Sequence, residues 1–99
     1  MKAVKTSDDI IATLRQAKPE IEGRFGVRSM AIFGSHARGE SREDSDVDIL
    51  VDVDPAIGLE FVSLADMLQE LLGAKVDLIS RRSVQPRNWK YIEPDLIYV

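Results

Sequence analysis

Apolar residues recur along this chain with two different periods, and the changes of period divide it into elements. Ile10, Leu14, Ala17, Ile21 and Phe25 are spaced by three or four, which places them on one face of an N-terminal helix. Thr6, with Asp9 three residues on, fits a capping box at its start, and Gly26 fits its end. Pro19 has no backbone N–H to donate and is expected to kink or split this helix near Ala17. Residues 29–33, SMAIF, form a short apolar run closed by Gly34, and VDILVDV at 47–53 alternates as a strand does. Pro55 and Gly58 mark a turn, after which Phe61, Leu64, Ala65, Leu68, Leu71 and Leu72 predict an amphipathic helix over 59–72, with Gly73 at its end. Residues 76–79 return as a strand. From residue 29 the order is strand, short turn or helix, strand, helix, strand, an α/β (α+β) pattern. Beyond Ser80, Pro86 and Pro94 interrupt any long element, and the closing LIYV reads as a last short strand or a docked tail.

Composition narrows the class. Ninety-nine residues at 44% hydrophobic content suffice for one core and are too few for two, so residues 1–99 are expected to form a single domain. The absence of cysteine excludes disulfides, thiolate metal sites and a thiol nucleophile. No apolar run approaches a membrane span, and MKAVKTSDD lacks the apolar core of a signal peptide, so a soluble cytoplasmic protein is expected. The net charge of −4 speaks against a chain that coats nucleic acid. Its distribution says more: seven acids against Arg42 between Glu40 and Asp54, then Arg81, Arg82, Arg87 and Lys90 with no acid among them. Such blocks suit divalent cations at one and an anion at the other, while the plainer reading makes both solvated loops.

The run from Gly34 to Asp48, GSHARGESREDSDVD, carries the candidate chemistry. Side chains two apart on a strand share a face, so Asp46 and Asp48 project together, away from Val47, Ile49 and Val51. Two close carboxylates repel, and Mg²⁺ offsets that repulsion with oxygen ligation. Asp77 is an acid inside an apolar strand; if that strand lies beside 47–53, it reaches the same metals. Gly34 lets backbone N–H groups approach a phosphate, Ser35 adds a hydroxyl, a short helix from His36 would present its positive end, and Arg38 is a further phosphate contact. Asp44, Asp52 and Asp54 read as solvated or turn residues, and His36, the single histidine, as neither ligand nor base. An EF-hand starting at Asp44 fails twice, with Ile49 at the glycine position and Pro55 at the last ligand. A P-loop fails because no Gly-Lys-Ser/Thr follows. An aspartyl-phosphate phosphatase would carry its acids after the strand, not before it.

Gly34-Ser35, ten residues, Asp46-x-Asp48 and a later Asp77, with ARG at 37–39 and SDVD at 45–48, resemble the DNA polymerase β-like nucleotidyltransferase superfamily. Within it the chain is similar to the minimal nucleotidyltransferases that act as antitoxins to HEPN-domain toxins. The resemblance runs from about Ile10 to Ile79. It implies a compact nucleotidyltransferase fold, a mixed β-sheet packed against helices. It also implies transfer of AMP from ATP to a tyrosine hydroxyl of a HEPN ribonuclease by a two-metal mechanism. Asp46 and Asp48 would hold two Mg²⁺ ions, Asp77 would ligate the catalytic one and help deprotonate the acceptor, and Gly34 and Ser35 would hold the terminal phosphates. Only twenty residues follow Ile79, so the acceptor is expected on another polypeptide. Trp89, Tyr91 and Tyr98 offer a docking surface for it, or else close the core. The alternative function is a non-catalytic antitoxin that neutralises its partner by binding alone; nucleotide addition to RNA is disfavoured by the acidic balance.

Overall fold

A computed structural model describes residues 6–40 and 45–99. Helix α1 spans Ser7–Phe25, strand β1 Val27–Phe33, helix α2 Gly34–Arg38, β2 Val47–Val53, α3 Glu60–Leu72, β3 Val76–Ser80, α4 Pro86–Ile92 and β4 Ile97–Tyr98. The sheet order is β3-β2-β1-β4. β1 runs antiparallel to both β2 and β4, while β2 and β3 are parallel, which makes the sheet mixed. The parallel pair needs a crossover, and α3 supplies it.

The core joins one face of the sheet to α1 and α3. Ile10, Leu14, Ile21 and Phe25 from α1 and Leu64, Leu68 and Leu72 from α3 meet Met30 and Ile32 of β1 and the alternate residues Val47, Ile49, Val51 and Val53 of β2. Each fully buried aliphatic side chain there contributes ~1.5–3 kcal/mol. In β1 the buried Val27 and Met30 are three apart, not two, because the register shifts between Val27 and Ser29. Asp48, Leu50 and Asp52 point to the opposite face. After β3 the chain crosses from that sheet edge to β4, meeting β2 through the 3-10 turn Arg81–Ser83 and α2 through the 3-10 turn Glu93–Asp95.

Caps set the helix ends as the sequence suggests. The Thr6 hydroxyl accepts from the Asp9 amide at 3.1 Å, and Gly26 and Gly73 close α1 and α3 in the left-handed region. Pro19 does not split α1: the helix runs through it as one 19-residue element. Ile10 and Leu14 before it and Ile21 and Phe25 after it are buried on one face, and Pro19 itself is exposed. Packing on both sides therefore outweighs the lost hydrogen bond. α2 begins at Gly34, two residues earlier than expected. The closing residues do form a strand, and the Val99 amide donates to the Met30 carbonyl at 3.0 Å. The aromatics do not close the core, since Tyr91 and Tyr98 are exposed and Trp89 is half-buried under the Arg81 guanidinium, 3.6 Å from its ring centre. Val99 closes it instead. Among the described residues no helix is long and apolar enough to cross a membrane.

Candidate active site

Three neighbouring backbones bring the candidate residues together. Phe33 pairs with Asp48 across β1 and β2, so the turn that follows Phe33 lies against the start of β2. Gly34 makes that turn with φ +73°. A Cβ built there would overlap the Asp48 carboxylate, whose Cγ would stand only 3.2 Å away. Glycine is thus required twice, for its backbone angle and for the close approach. On the other side of β2, Asp48 is in register with Asp77 of β3, so both carboxylates project from the same face of adjacent strands. Asp46 lies just before the strand and is exposed, as is Asp77, while Asp48 is half-buried.

The three acids are felt together at Asp48. Its carboxyl is raised above the ordinary range, first by burial and then by the negative charges of Asp77 and Asp46, with His36 and Arg38 opposing. That arrangement fits divalent cations, which would relieve both the repulsion and the desolvation. Among the described residues no three acid or histidine side chains already form a cage around one point. Mg²⁺ does not require one, because it keeps waters and takes one or two carboxylates together with substrate phosphates.

The remaining candidates fall out differently. Ser35 stands half-buried in the first turn of α2. Arg38 is engaged by carboxylates: its Nη1 donates to Asp95 at 2.8 Å and its Nε to Glu40 at 3.2 Å, and these bonds raise its pKa, Asp95 first. Asp52 and Asp54 lie 4.0 and 3.9 Å from the Arg28 guanidinium, and Asp54 also caps the Ala56 amide at 2.8 Å. Asp44 lies outside the described residues. His36, set aside on sequence grounds, is buried, with Nε2 3.3 Å from the Ser45 carbonyl oxygen. A five-residue helix is too short for periodicity to mark its inward face, so nothing in the sequence signalled that burial. A cavity of about 460 Å³ lies at the far ends of β2 and β3, lined by Val53, Asp54, Ile57, Phe61, Leu78 and Arg82 among others, and includes none of Gly34, Ser35, Arg38, Asp46, Asp48 and Asp77.

Comparison with known proteins gives a consistent picture. The family model described as nucleotidyltransferase domain matches residues 14–99. The chain is 42% identical over 99 residues to the protein adenylyltransferase MntA of Thermococcus cleftensis, covering 98% of this chain and 99% of that one. It is 44% identical over 101 residues to a candidate protein adenylyltransferase of Methanocaldococcus jannaschii, covering 97% of this chain and 100% of the relative. A solved candidate minimal nucleotidyltransferase superposes with a TM-score of 0.78 at 34% identity, over 97% of this chain and 98% of that one. A chain of a toxin–antitoxin complex solved with AMP-PNP superposes with a TM-score of 0.56 at 29% identity, over 82% of this chain and 61% of that one.

Proposed function

The chain belongs to the nucleotidyltransferase domain family, and from that membership we propose that it is an antitoxin that transfers AMP from ATP to a tyrosine hydroxyl of a HEPN-domain ribonuclease toxin. The observation that carries this reading is the Asp48 carboxylate seated against Gly34 with Asp77 in register beside it. The similarity to protein adenylyltransferase MntA, and the likeness to a chain of a toxin–antitoxin complex solved with AMP-PNP, support the acceptor class and the nucleotide.

In this reading Asp46 and Asp48 would hold two Mg²⁺ ions and Asp77 one of them. Bound there, the ions would neutralise the triphosphate and stabilise charge at the α-phosphate in the transition state. The backbone at Gly34 and the Ser35 hydroxyl hold the terminal phosphates, and Arg38 joins them when it leaves Asp95. Asp77, exposed at the sheet edge, accepts the phenolic proton as the tyrosine oxygen forms its bond to the α-phosphorus. The bond from that phosphorus to the bridging oxygen breaks, and pyrophosphate leaves with the electron pair. The local acidity around Asp46 and Asp48 suits a protein acceptor carrying little phosphate better than RNA.

The test is to incubate the chain with ATP, Mg²⁺ and a HEPN toxin and to weigh the toxin by mass spectrometry. An adenylate adduct that maps to tyrosine and accompanies loss of ribonuclease activity is expected. An unmodified toxin that is nonetheless fully inhibited, also by a chain carrying Asp46→Asn and Asp48→Asn, would replace catalysis with neutralisation by binding alone.

A further inference from the structure

We infer that His36 is a positioning residue for Asp46: its imidazole pins the peptide group that leads into that carboxylate onto the helix that carries Ser35. The inference rests on the functional reading above and deepens it. His36 is the one buried polar side chain among the described residues, at 8% exposure. Its Nε2 stands 3.3 Å from the Ser45 carbonyl oxygen. A carbonyl can only accept, so Nε2 carries the hydrogen and donates it.

That bond reaches Asp46 through covalent geometry. The Ser45 carbonyl belongs to the planar peptide whose nitrogen is that of Asp46, so fixing the oxygen fixes the plane from which the Asp46 Cα departs. The next peptide is held as well, because the Val47 amide donates to the Lys75 carbonyl at 2.9 Å. Asp46 is exposed and precedes the strand, yet the peptides on both its sides are anchored, one to α2 and one to the chain entering β3. α2 is itself tied down, since the Ser7 hydroxyl donates to the His36 carbonyl and Arg38 bonds Asp95. The imidazole thus links the phosphate turn to the first carboxylate.

The other ring nitrogen argues that stability is not the reason for a histidine here. Nδ1 is buried with no hydrogen-bond partner among the described residues. A buried polar nitrogen without a partner opposes folding, and an apolar side chain of similar size would avoid it. The hydrogen bond from Nε2 is what the imidazole supplies here that an apolar side chain could not.

The experiment uses the full chain and needs no toxin. Mn²⁺, as a probe for Mg²⁺, is titrated in the presence of a non-hydrolysable ATP analogue and followed by electron paramagnetic resonance, and the same proteins are melted in chelator. His36→Leu should melt no lower than wild type and bind Mn²⁺ with nucleotide ~10-fold more weakly, as losing an outer support of a metal ligand does. His36→Gln, whose amide nitrogen can reach the Ser45 carbonyl, should restore most of that affinity. A leucine variant that binds as tightly as wild type overturns the inference, as does a glutamine variant no better than leucine. Leucine and glutamine variants that both melt well below wild type would make His36 a packing residue. Wild-type chain that binds neither Mn²⁺ nor the analogue would overturn the functional reading, and the positioning role with it.

Discussion

The Asp48 carboxylate occupies the space that any side chain at residue 34 would need: a Cβ on Gly34 would overlap its Oδ2. Gly34→Ala therefore carries two penalties. A left-handed backbone at φ +73° disfavours alanine by ~1–2 kcal/mol, and the carboxylate must also move. Gly39 separates the two, because its φ is +72° yet a Cβ there would meet nothing within 4 Å among the described residues. Both variants should melt below wild type in calorimetry, Gly34→Ala by more because it alone also displaces the carboxylate. Only Gly34→Ala should lower adenylyl transfer by ~100-fold or more, the scale on which small misplacements act. Equal activity loss in the two would mean that backbone strain, not the carboxylate's seat, matters.

Asp77→Asn should separate chemistry from folding. Asp77 is exposed on an edge strand, so its amide analogue should leave stability within ~0.5 kcal/mol of wild type. If Asp77 takes the proton and binds metal as proposed, its loss should lower the rate of toxin adenylylation by at least ~100-fold. Chemical denaturation and single-turnover transfer measured on one preparation check both halves, and a variant with wild-type transfer rate would remove Asp77 from the site.

The raised pKa of Asp48 fixes the sign of a pH dependence. Burial, then Asp77 and Asp46, make the folded protein hold this proton more tightly than the unfolded chain does. Between the ordinary carboxylate range and the raised value the native state binds more protons, so this group's effect on stability worsens as pH rises through that window and stays unfavourable above it. In chelator, Asp48→Asn should accordingly melt higher than wild type near neutral pH, with the difference shrinking as pH falls to about 4. Added Mg²⁺ and ATP should stabilise wild type and not the variant. A variant that melts lower at every pH would show that the carboxylate's contacts outweigh its desolvation.

What the sequence revealed and what it hid follow from the range of the interactions concerned. Leu64, Leu68 and Leu72 repeat at a helical period and all face the core, so α3 was legible from spacing alone. The meeting of Asp48 with Asp77 was legible because an acid inside an apolar strand stands out, and the crossover helix makes a parallel neighbour natural. α4 was not, since none of its seven residues is buried and only Pro86 at its first turn marks it. The distant partner of Arg38 was hidden too, because Asp95 lies 57 residues away and only the folded chain brings them together.

The Arg38–Asp95 ion pair also links two distant parts of the chain. Asp95 belongs to the turn that precedes β4, so Arg38 ties α2 to the C-terminal segment. Asp95→Asn should weaken the tie, speed amide hydrogen exchange at residues 97–99 and leave Arg38 freer to reach a phosphate. The KM for ATP should then fall severalfold. Faster exchange with an unchanged KM would leave Arg38 as a tether and take it out of the nucleotide site.

Pro19 tests the account of α1 by stability alone. In a helix interior proline loses one hydrogen bond and crowds the carbonyl four residues back, a difference from alanine of ~3 kcal/mol in model helices. Against this, proline stiffens the unfolded chain, which favours folding by ~0.4–1 kcal/mol where its angle suits. The first effect is larger, and Pro19 is exposed, so replacing it opens no cavity. Pro19→Ala should then stabilise the protein by ~1–3 kcal/mol, read as a higher urea midpoint at unchanged slope. The gain should also appear as slower exchange of amides in the turns on either side of residue 19. A lower midpoint would mean that α1 is bent to suit the proline, and that the buried residues on its two sides, Leu14 and Ile21, depend on that bend.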